Sequence, residues 1–287
     1  MSANLVRLIA FQGVPGAYSD LACRTVFPGV STLPCRSFED AFAAVAEGNA
    51  DLAMIPIENS HAGRVTDVHY LLPSSGLHIV AEHFHPVDHM LLAPKGATLA
   101  GLKSVRSHIQ GLQQCRKMIR ELGLEPVVTT DTAGAAAEVA AAGDPTQAAI
   151  SSSLAGEIYG LDVMRRSVQD ASHNTTRFVV LSRTPDVPDI DDGPAITTLV
   201  FRVRNVPASL YKAMGGFATN GINLSKLESY MVGGRFVATQ FFVDADGHPD
   251  SRAMRLALEE LRFFTKELKI LGVYRASPFR ADQVAGE

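Results

Sequence analysis

The chain has 287 residues, room for about two domains of ordinary size, with 46% hydrophobic and 20% charged side chains. Its 26 basic and 30 acidic residues leave a net charge of −4, so a nucleic-acid partner is not expected, and no apolar run reaches the roughly 18 residues of a membrane-spanning helix. Cys23, Cys35 and Cys115 are odd in number, lack CxxC spacing and follow no secretory leader pattern, so a cytoplasmic protein without disulfides or structural zinc is expected.

Leu8–Phe11 is a buried-strand run ending at Gly13-Val14-Pro15-Gly16, and Ala17 to Val26 follows as a helix. Ser37 and Asp40 form a capping-box pattern ahead of Ala41–Val45, with Gly48 as the residue past the helix end. Ala50 to Ile57 is the next strand. Gln110 to Leu122 and Ala133 to Ala142 read as helices beside strands at Val127–Thr129 and Ala148–Ile150, and Thr176 to Leu181 is a late strand. Short β-prone runs alternating with helices mark an α/β architecture. Two α/β lobes joined by crossing strands near residues 80–92 and 165–178 fit this length.

Arg183 to Pro194 holds three prolines and four aspartates in twelve residues and reads as a linker. Beyond it the pattern changes. Ile196 to Val203 is a strand, Pro207 to Thr219 a helix with Pro207 in its first turn, and Ile222 to Met231 a strand. Gly233-Gly234 signals a hairpin leading into Phe236 to Val243. Asp250 is expected to cap a helix with apolar positions Met254, Ala257, Leu258, Leu261, Phe264 and Leu268, before a last strand at Leu271–Tyr274. This β-α-β-β-α-β order is ferredoxin-like. Its open sheet edges favour pairing with a second copy, as a homodimer or a homotetramer.

Three segments hold residues suited to chemistry. Gly13-Val14-Pro15-Gly16-Ala17-Tyr18-Ser19 joins a strand to a helix; it is either an anion-binding helix start or an ordinary turn, and it lacks both nucleotide-loop spacings. Pro56-Ile57-Glu58-Asn59-Ser60 follows a strand, where ligands sit in α/β sheets, although Asn59 or Ser60 capping the next helix explains it equally well. Asn174-Thr175-Thr176-Arg177-Phe178 sets a guanidinium beside hydroxyls and an amide, able to hold a carboxylate while a hydroxyl donates; a strand start with a surface arginine is the plainer reading. His83 and His85 share a strand face with His89 close by, yet only Asp88 adds a ligand type at metal spacing, so no metal is expected. No GxSxG elbow or catalytic cysteine context occurs.

In their order, these segments resemble prephenate dehydratase. The resemblance runs through Gly13-x-Pro15-Gly16-Ala17-Tyr18-Ser19, Pro56-Ile57-Glu58-Asn59-Ser60, Ser107-His108-x-Gln110, Leu112-x-Gln114-Cys115, Ala149-Ile150-Ser151, Glu157-x-Tyr159-Gly160-Leu161 and Thr176-Arg177-Phe178. The last third resembles an ACT regulatory domain. It implies a two-lobed catalytic domain over residues 1–183, similar to type-2 periplasmic binding proteins, with its site in the cleft. A linker at 184–194, an ACT domain at 195–278 and a tail at 279–287 follow. The implied reaction turns prephenate into phenylpyruvate, carbon dioxide and water, on the route to phenylalanine, with no cofactor. Thr176 is the implied proton or hydrogen-bond donor, with Arg177, Glu58, Asn59 and Ser60 as its catalytic neighbours. Gly16, Ala17, Tyr18, Ser19, Gln110, Asn174 and Phe178 are implied to bind substrate. Phenylalanine as effector is implied at Asn205, Ala208, Ser209, Leu210, Glu228 and Ser229, where the family's usual Gly-Ala-Leu and Glu-Ser-Arg-Pro appear as Ala208-Ser209-Leu210 and Glu228-Ser229-Tyr230-Met231. Arogenate dehydratase, and a non-catalytic aromatic-ligand sensor, are the alternatives.

Overall fold

A computed structural model describes residues 6–171, 173–231 and 238–284. In chain order the first elements are β1 (Leu8–Gln12), α1 (Tyr18–Val26), β2 (Ser31–Cys35), α2 (Phe38–Ala46), β3 (Leu52–Asn59), β4 (Gly63–Arg64), α3 (Thr66–Leu71) and β5 (His78–Pro86). Next come β6 (Met90–Ala93), β7 (Ser104–His108), α4 (Ile109–Gln114), α5 (Arg116–Glu121), β8 (Glu125–Thr129), α6 (Thr132–Ala142), β9 (Gln147–Ser151), α7 (Ser153–Tyr159), β10 (Asp162–Arg165) and β11 (Thr175–Ser182). The remainder is β12 (Ala195–Val203), α8 (Ser209–Thr219), β13 (Leu224–Met231), β14 (Ala238–Asp246), α9 (Arg252–Phe264), β15 (Thr265–Arg275) and α10 (Pro278–Val284). The Gly233-Gly234 hairpin and Phe236 lie outside the described residues. Among those described, no helix is long and apolar enough to cross a membrane.

Two compact units divide the chain. One runs to Val65 and resumes over His83–Phe178. Its first sheet places β1 between β2 and β3, parallel to both, with β11 beyond β3. Its second has the order β10-β6-β9-β7-β8, with parallel β9-β7 and β7-β8 pairs. The Gly13–Ser19 loop and Asn59 stand at the ends of β1 and β3, the carboxyl ends of parallel strands, where α/β sheets place ligands.

The other unit is Thr66–Glu82 with the chain from Val179 onward. Here β12-α8-β13-β14-α9-β15 has the ferredoxin-like order, with strands arranged β13-β14-β12-β15. Met254, Ala257, Leu258 and Leu261, at i, i+3, i+4 and i+7 on α9, pack with Ala213, Phe217, Leu199 and Val243 in its core. Residues 66–82 join this unit because β15 pairs in parallel with β5 at Gly272 and Ile79, and because Arg280 bonds both carboxylate oxygens of Glu82 at 2.7 and 2.9 Å.

Four local expectations are corrected. The predicted helix 110–122 is two helices broken at Cys115: the Gln114 carbonyl accepts from the Asp170 backbone N–H at 2.6 Å, and Lys117 N–H donates to the Asp170 carboxylate at 3.0 Å, diverting groups that a continuous helix would pair. Ser251, not Asp250, caps α9 through its hydroxyl. That helix ends at Phe264, where extended Thr265 starts β15 and takes Leu268 into the sheet. Finally, α8 starts at Ser209 rather than Pro207, because Ala208 takes the left-handed backbone at φ 61°.

Candidate active site

The site is assembled where β3 ends beside the start of β11. Asn59 Oδ1 accepts the backbone N–H groups of His61 and Ala62, each at 2.9 Å, which curls the chain as it leaves the strand. Neither Asn59 nor Ser60 caps α3. Ser60 instead ties the strands together: its hydroxyl donates to His173 O at 2.9 Å and accepts from Thr175 N–H at 3.0 Å, while Ser60 N–H donates to Thr175 O at 2.9 Å. The Asn59 amide nitrogen then reaches Asn174 Oδ1 at 2.8 Å, Thr176 Oγ1 at 3.0 Å and Thr175 O at 3.3 Å.

From this turn outward, each amide has only one workable orientation. Backbone N–H groups cannot become acceptors, so Asn59 must turn its oxygen to His61 and Ala62 and its nitrogen to Asn174. Asn174 therefore presents oxygen to Asn59 and donates its own amide to Gln114 Oε1 at 2.9 Å. Gln114 Oε1 also meets His89 Nε2 at 2.8 Å, which must then carry the proton. His89 Nδ1 is left to accept from the Tyr18 hydroxyl at 2.7 Å. Burial lowers the His89 pKa, favouring this neutral imidazole, and burial raises that of Tyr18, keeping the phenol a donor. At the far end Thr176 Oγ1 accepts from Asn59, and among the described residues its hydrogen has no protein acceptor.

Thr176, Asn59, Asn174 and Tyr18, all named from the sequence, thus belong to one hydrogen-bonded chain. Arg177 does not. Adjacent strand residues point to opposite faces, and Arg177, with 3% of its side chain exposed, pairs with Glu58 at 2.9 Å and lies 5.8 Å from the Phe84 ring centre. The expected fork on a substrate carboxylate is already engaged by this protein carboxylate. Phe178 is a core side chain, its ring edge-on to His85 at 6.4 Å.

Gly16 contributes closeness rather than a free anion cradle. Its N–H donates to the buried Asp20 carboxylate at 2.9 Å, and Ala17 N–H is taken by Val14 O at 3.0 Å. Gly16 has φ 88°, and a Cβ there would lie 2.8 Å from the Ala155 Cα on α7, so only glycine fits. The Ser152 and Tyr159 hydroxyls donate to Gly16 O at 2.5 Å and Pro15 O at 2.8 Å, fastening this loop to α7. Ser19 is buried in the first turn of α1. Gln110 is exposed at the start of α4, and Gln114 of that helix reaches the network instead.

His83 Nε2 lies 3.3 Å from His85 Nδ1, so the two do share a face, with His85 pushed down to about 4 by burial and then by His83. Among the described residues no group of three His, Cys, Asp or Glu side chains is placed to hold a metal. Burial pushes the Cys23 and Cys115 thiols up to about 12, far from a reactive thiolate. In the other unit, Ala208, Ser209 and Leu210 open α8, with Leu210 packed on the core and Asn205 exposed just before. On β13, Glu228 lies 3.6 Å from Lys226 and Ser229 is exposed.

The sequence reading missed His89 and Gln114 as members of the site. The sequence points to His89 only as a metal-ligand type and gives Gln114 no role within its motif. The available signal was a histidine directly before the apolar run Met90–Ala93.

The family model described as prephenate dehydratase matches residues 9–186. A relative from Komagataeibacter europaeus, named bifunctional N-acyl-homoserine lactone acylase/prephenate dehydratase, is 54% identical over 277 residues, covering 96% of this chain and 99% of the relative. Arogenate dehydratase/prephenate dehydratase 1, chloroplastic, of Arabidopsis thaliana is 40% identical over 93% of this chain and 71% of its own length. A crystal structure of prephenate dehydratase from Arthrobacter aurescens in complex with L-Phe superposes with a TM-score of 0.86 at 28% identity, covering 97% of this chain and 98% of that one. A family match over more than half the chain, joined to a relative 40% identical over 93% of it, means that this chain belongs to the prephenate dehydratase family.

Proposed function

We propose that this protein converts prephenate to phenylpyruvate. The observation that carries the reading is the Thr176 hydroxyl, whose oxygen is held by Asn59 and whose hydrogen has no acceptor among the described residues. In the reaction the bond from the ring to its carboxylate breaks, and the electron pair flows through the diene. Carbon dioxide is released, the bond to the 4-hydroxyl breaks, and the oxygen takes a proton drawn from solvent and leaves as water. Aromatisation supplies the drive, so the protein's task is to orient the dianion and stabilise the departing oxygen. A threonine hydroxyl is a weak acid, so Thr176 acts as a hydrogen-bond donor to that oxygen, with Asn59 setting its direction. Glu58 and Arg177 support this strand from its other face, and Ser60 fixes where it starts.

The same site suits arogenate, whose amino group replaces the keto oxygen away from the breaking bonds. Purified protein incubated with each substrate in turn, with phenylpyruvate or phenylalanine followed as product, separates the two; no product from either overturns the reading.

Catalysis is assigned to residues 1–183 and regulation by phenylalanine to residues 195–278, linked by 184–194. The Arthrobacter structure holding L-Phe supports the effector. Exposed Tyr211 and Phe263, at 81% and 82%, are large apolar surfaces on α8 and α9 that a second copy would cover, in keeping with a homodimer or homotetramer. Light scattering tests this. Free, buried Cys23, Cys35 and Cys115 fit a cytoplasmic setting.

A second reading rests on the relative that is 54% identical and named also as an acylase. If this chain shares that activity, incubation with an N-acyl-homoserine lactone releases free homoserine lactone and the fatty acid, and Thr176→Ala shows whether the two activities share a site.

A further inference from the structure

We propose that His89 is a positioning residue of the dehydratase site, held by Tyr18 as its Nε2–H tautomer so that it locks the Gln114 amide in one orientation. The proposal rests on the dehydratase reading above and names a device that serves that site.

The Gln114 amide is the link whose orientation two side-chain donors fix together. Its oxygen carries two donors, Asn174 Nδ2 at 2.9 Å and His89 Nε2 at 2.8 Å, which use both of its lone pairs. Its NH2 group has no protein partner among the described residues, and in this proposal it is the donor offered to the substrate. Turning the amide over would set that NH2 against two N–H donors, so the donor stays where it is while both bonds persist. Asn174 is held from one side by Asn59, whose orientation the backbone of His61 and Ala62 dictates. His89 is the independent anchor on the other side.

Its surroundings suit an anchor. His89 is 2% exposed, its backbone N–H donates to Gln169 Oε1 at 2.9 Å, and its backbone carbonyl accepts from Val168 N–H at 2.9 Å. Gln169 donates in turn to Asp88 Oδ1 at 3.0 Å, so both neighbours of the imidazole are tied down. The Tyr18 hydroxyl fits the same tautomer: it lies 2.7 Å from Nδ1 and 3.0 Å from Asp88 O, and while it donates to Nδ1 the ring proton must reside on Nε2, as the Gln114 oxygen also requires. The Tyr18 and His89 rings also meet edge-on, 5.5 Å apart. The first turn of α1 thereby reaches Gln114, at the end of α4, through one imidazole.

The test joins kinetics with a direct view of the proton. In 15N-histidine-labelled wild-type protein at neutral pH, the His89 ring is expected as the neutral Nε2–H tautomer. His89→Leu keeps the apolar volume and removes the donor; kcat for prephenate is expected to fall by about 10²-fold, the scale of a small misplacement at a reacting centre, with KM little changed. His89→Gln places a donating amide near the same point and is expected to recover most of that loss, which a purely structural role would not produce. Tyr18→Phe removes the donor that holds Nδ1 and is expected to loosen the ring and lower kcat by about tenfold, a smaller form of the same misplacement. An Nδ1–H or doubly protonated ring in the wild type overturns the proposal, as does a folded His89→Leu protein with wild-type kcat. If His89→Leu does not fold, Tyr18→Phe and the wild-type tautomer decide. Wild-type protein that forms no phenylpyruvate overturns the dehydratase reading instead, and the tautomer still decides whether His89 is held as described.

Discussion

Asn59, the last residue of β3, donates its side-chain amide to the Thr176 hydroxyl of β11 at 3.0 Å, so the two strands meet at a hydroxyl whose hydrogen has no acceptor among the described residues. Thr176→Ala is expected to lower kcat for prephenate by about 10²–10³-fold, the usual cost of removing one preorganised hydrogen-bond donor. Thr175→Ala should matter far less, because its side chain points to the other face while its backbone alone bonds Ser60. Thr176→Ser keeps the hydroxyl and should retain much of the rate. Steady-state kinetics on the three folded variants checks the order, and a Thr176→Ala enzyme near wild-type kcat would remove Thr176 from the reaction.

The same alternation moves Arg177 from ligand binding to structure. Its guanidinium is buried against Glu58 and beside Phe84. Arg177→Ala is expected to destabilise the protein by about 3 kcal/mol, the low end for breaking a buried pair, since Glu58 keeps 30% exposure. Urea unfolding measures this. A variant of unchanged stability but much higher KM would restore the carboxylate-binding role.

How far the sequence was legible follows from these two residues. Thr176 and Asn59 stand at strand ends within short motifs, and strand ends in α/β sheets are where chemistry gathers. The facing of Arg177 was also available, because strand alternation alone opposes it to Thr176. What no local pattern holds is the long-range pairing: Gln114 lies 60 residues from Asn174, and His89 lies 25 from Gln114 and 71 from Tyr18, so only the folded chain brings them together. Helix ends failed for a related reason. The break at Cys115 comes from Asp170, a residue remote in sequence, whereas the cap of α9 was missed by one position between two capable residues, Asp250 and Ser251.

His85 makes stability depend on acid. Burial and His83 lower its pKa to about 4 in the folded protein, against about 6.5 unfolded. Between those values the unfolded chain binds more protons, so stability falls as pH drops from about 6.5 toward 4 and is unaffected by this group above that window. The slope is at most about 1.4 kcal/mol per pH unit. Denaturant midpoints at pH 7 and pH 4.5 should separate less for His85→Gln than for wild type; equal separations would mean that the imidazole does not titrate in this range.

Ala208 connects backbone strain to the proposed effector region. It begins α8 with φ 61°, a conformation that costs an L-residue roughly 1–2 kcal/mol and glycine almost nothing. Ala208→Gly is therefore expected to stabilise the protein, by somewhat less than that figure, because glycine also loosens the unfolded chain by about 0.4–1 kcal/mol. Ala208→Pro should do the reverse, since the ring holds φ near −65° and cannot reach the observed value. The bearing on phenylalanine follows from how an amino acid is held: a helix start offers backbone N–H groups to a carboxylate, whatever side chains stand there. The Ser209 N–H already bonds Val206 O at 3.2 Å, and Lys212 N–H bonds Ala208 O at 3.0 Å, which leaves the amides of Leu210 and Tyr211 between them as the donors on offer. Calorimetry with L-phenylalanine should then show binding of similar strength in wild type and Ala208→Gly, and weakened or lost binding in Ala208→Pro once circular dichroism confirms that it folds. Binding absent from the wild type, or unchanged in a folded Ala208→Pro protein, would show that the start of α8 does not hold the effector.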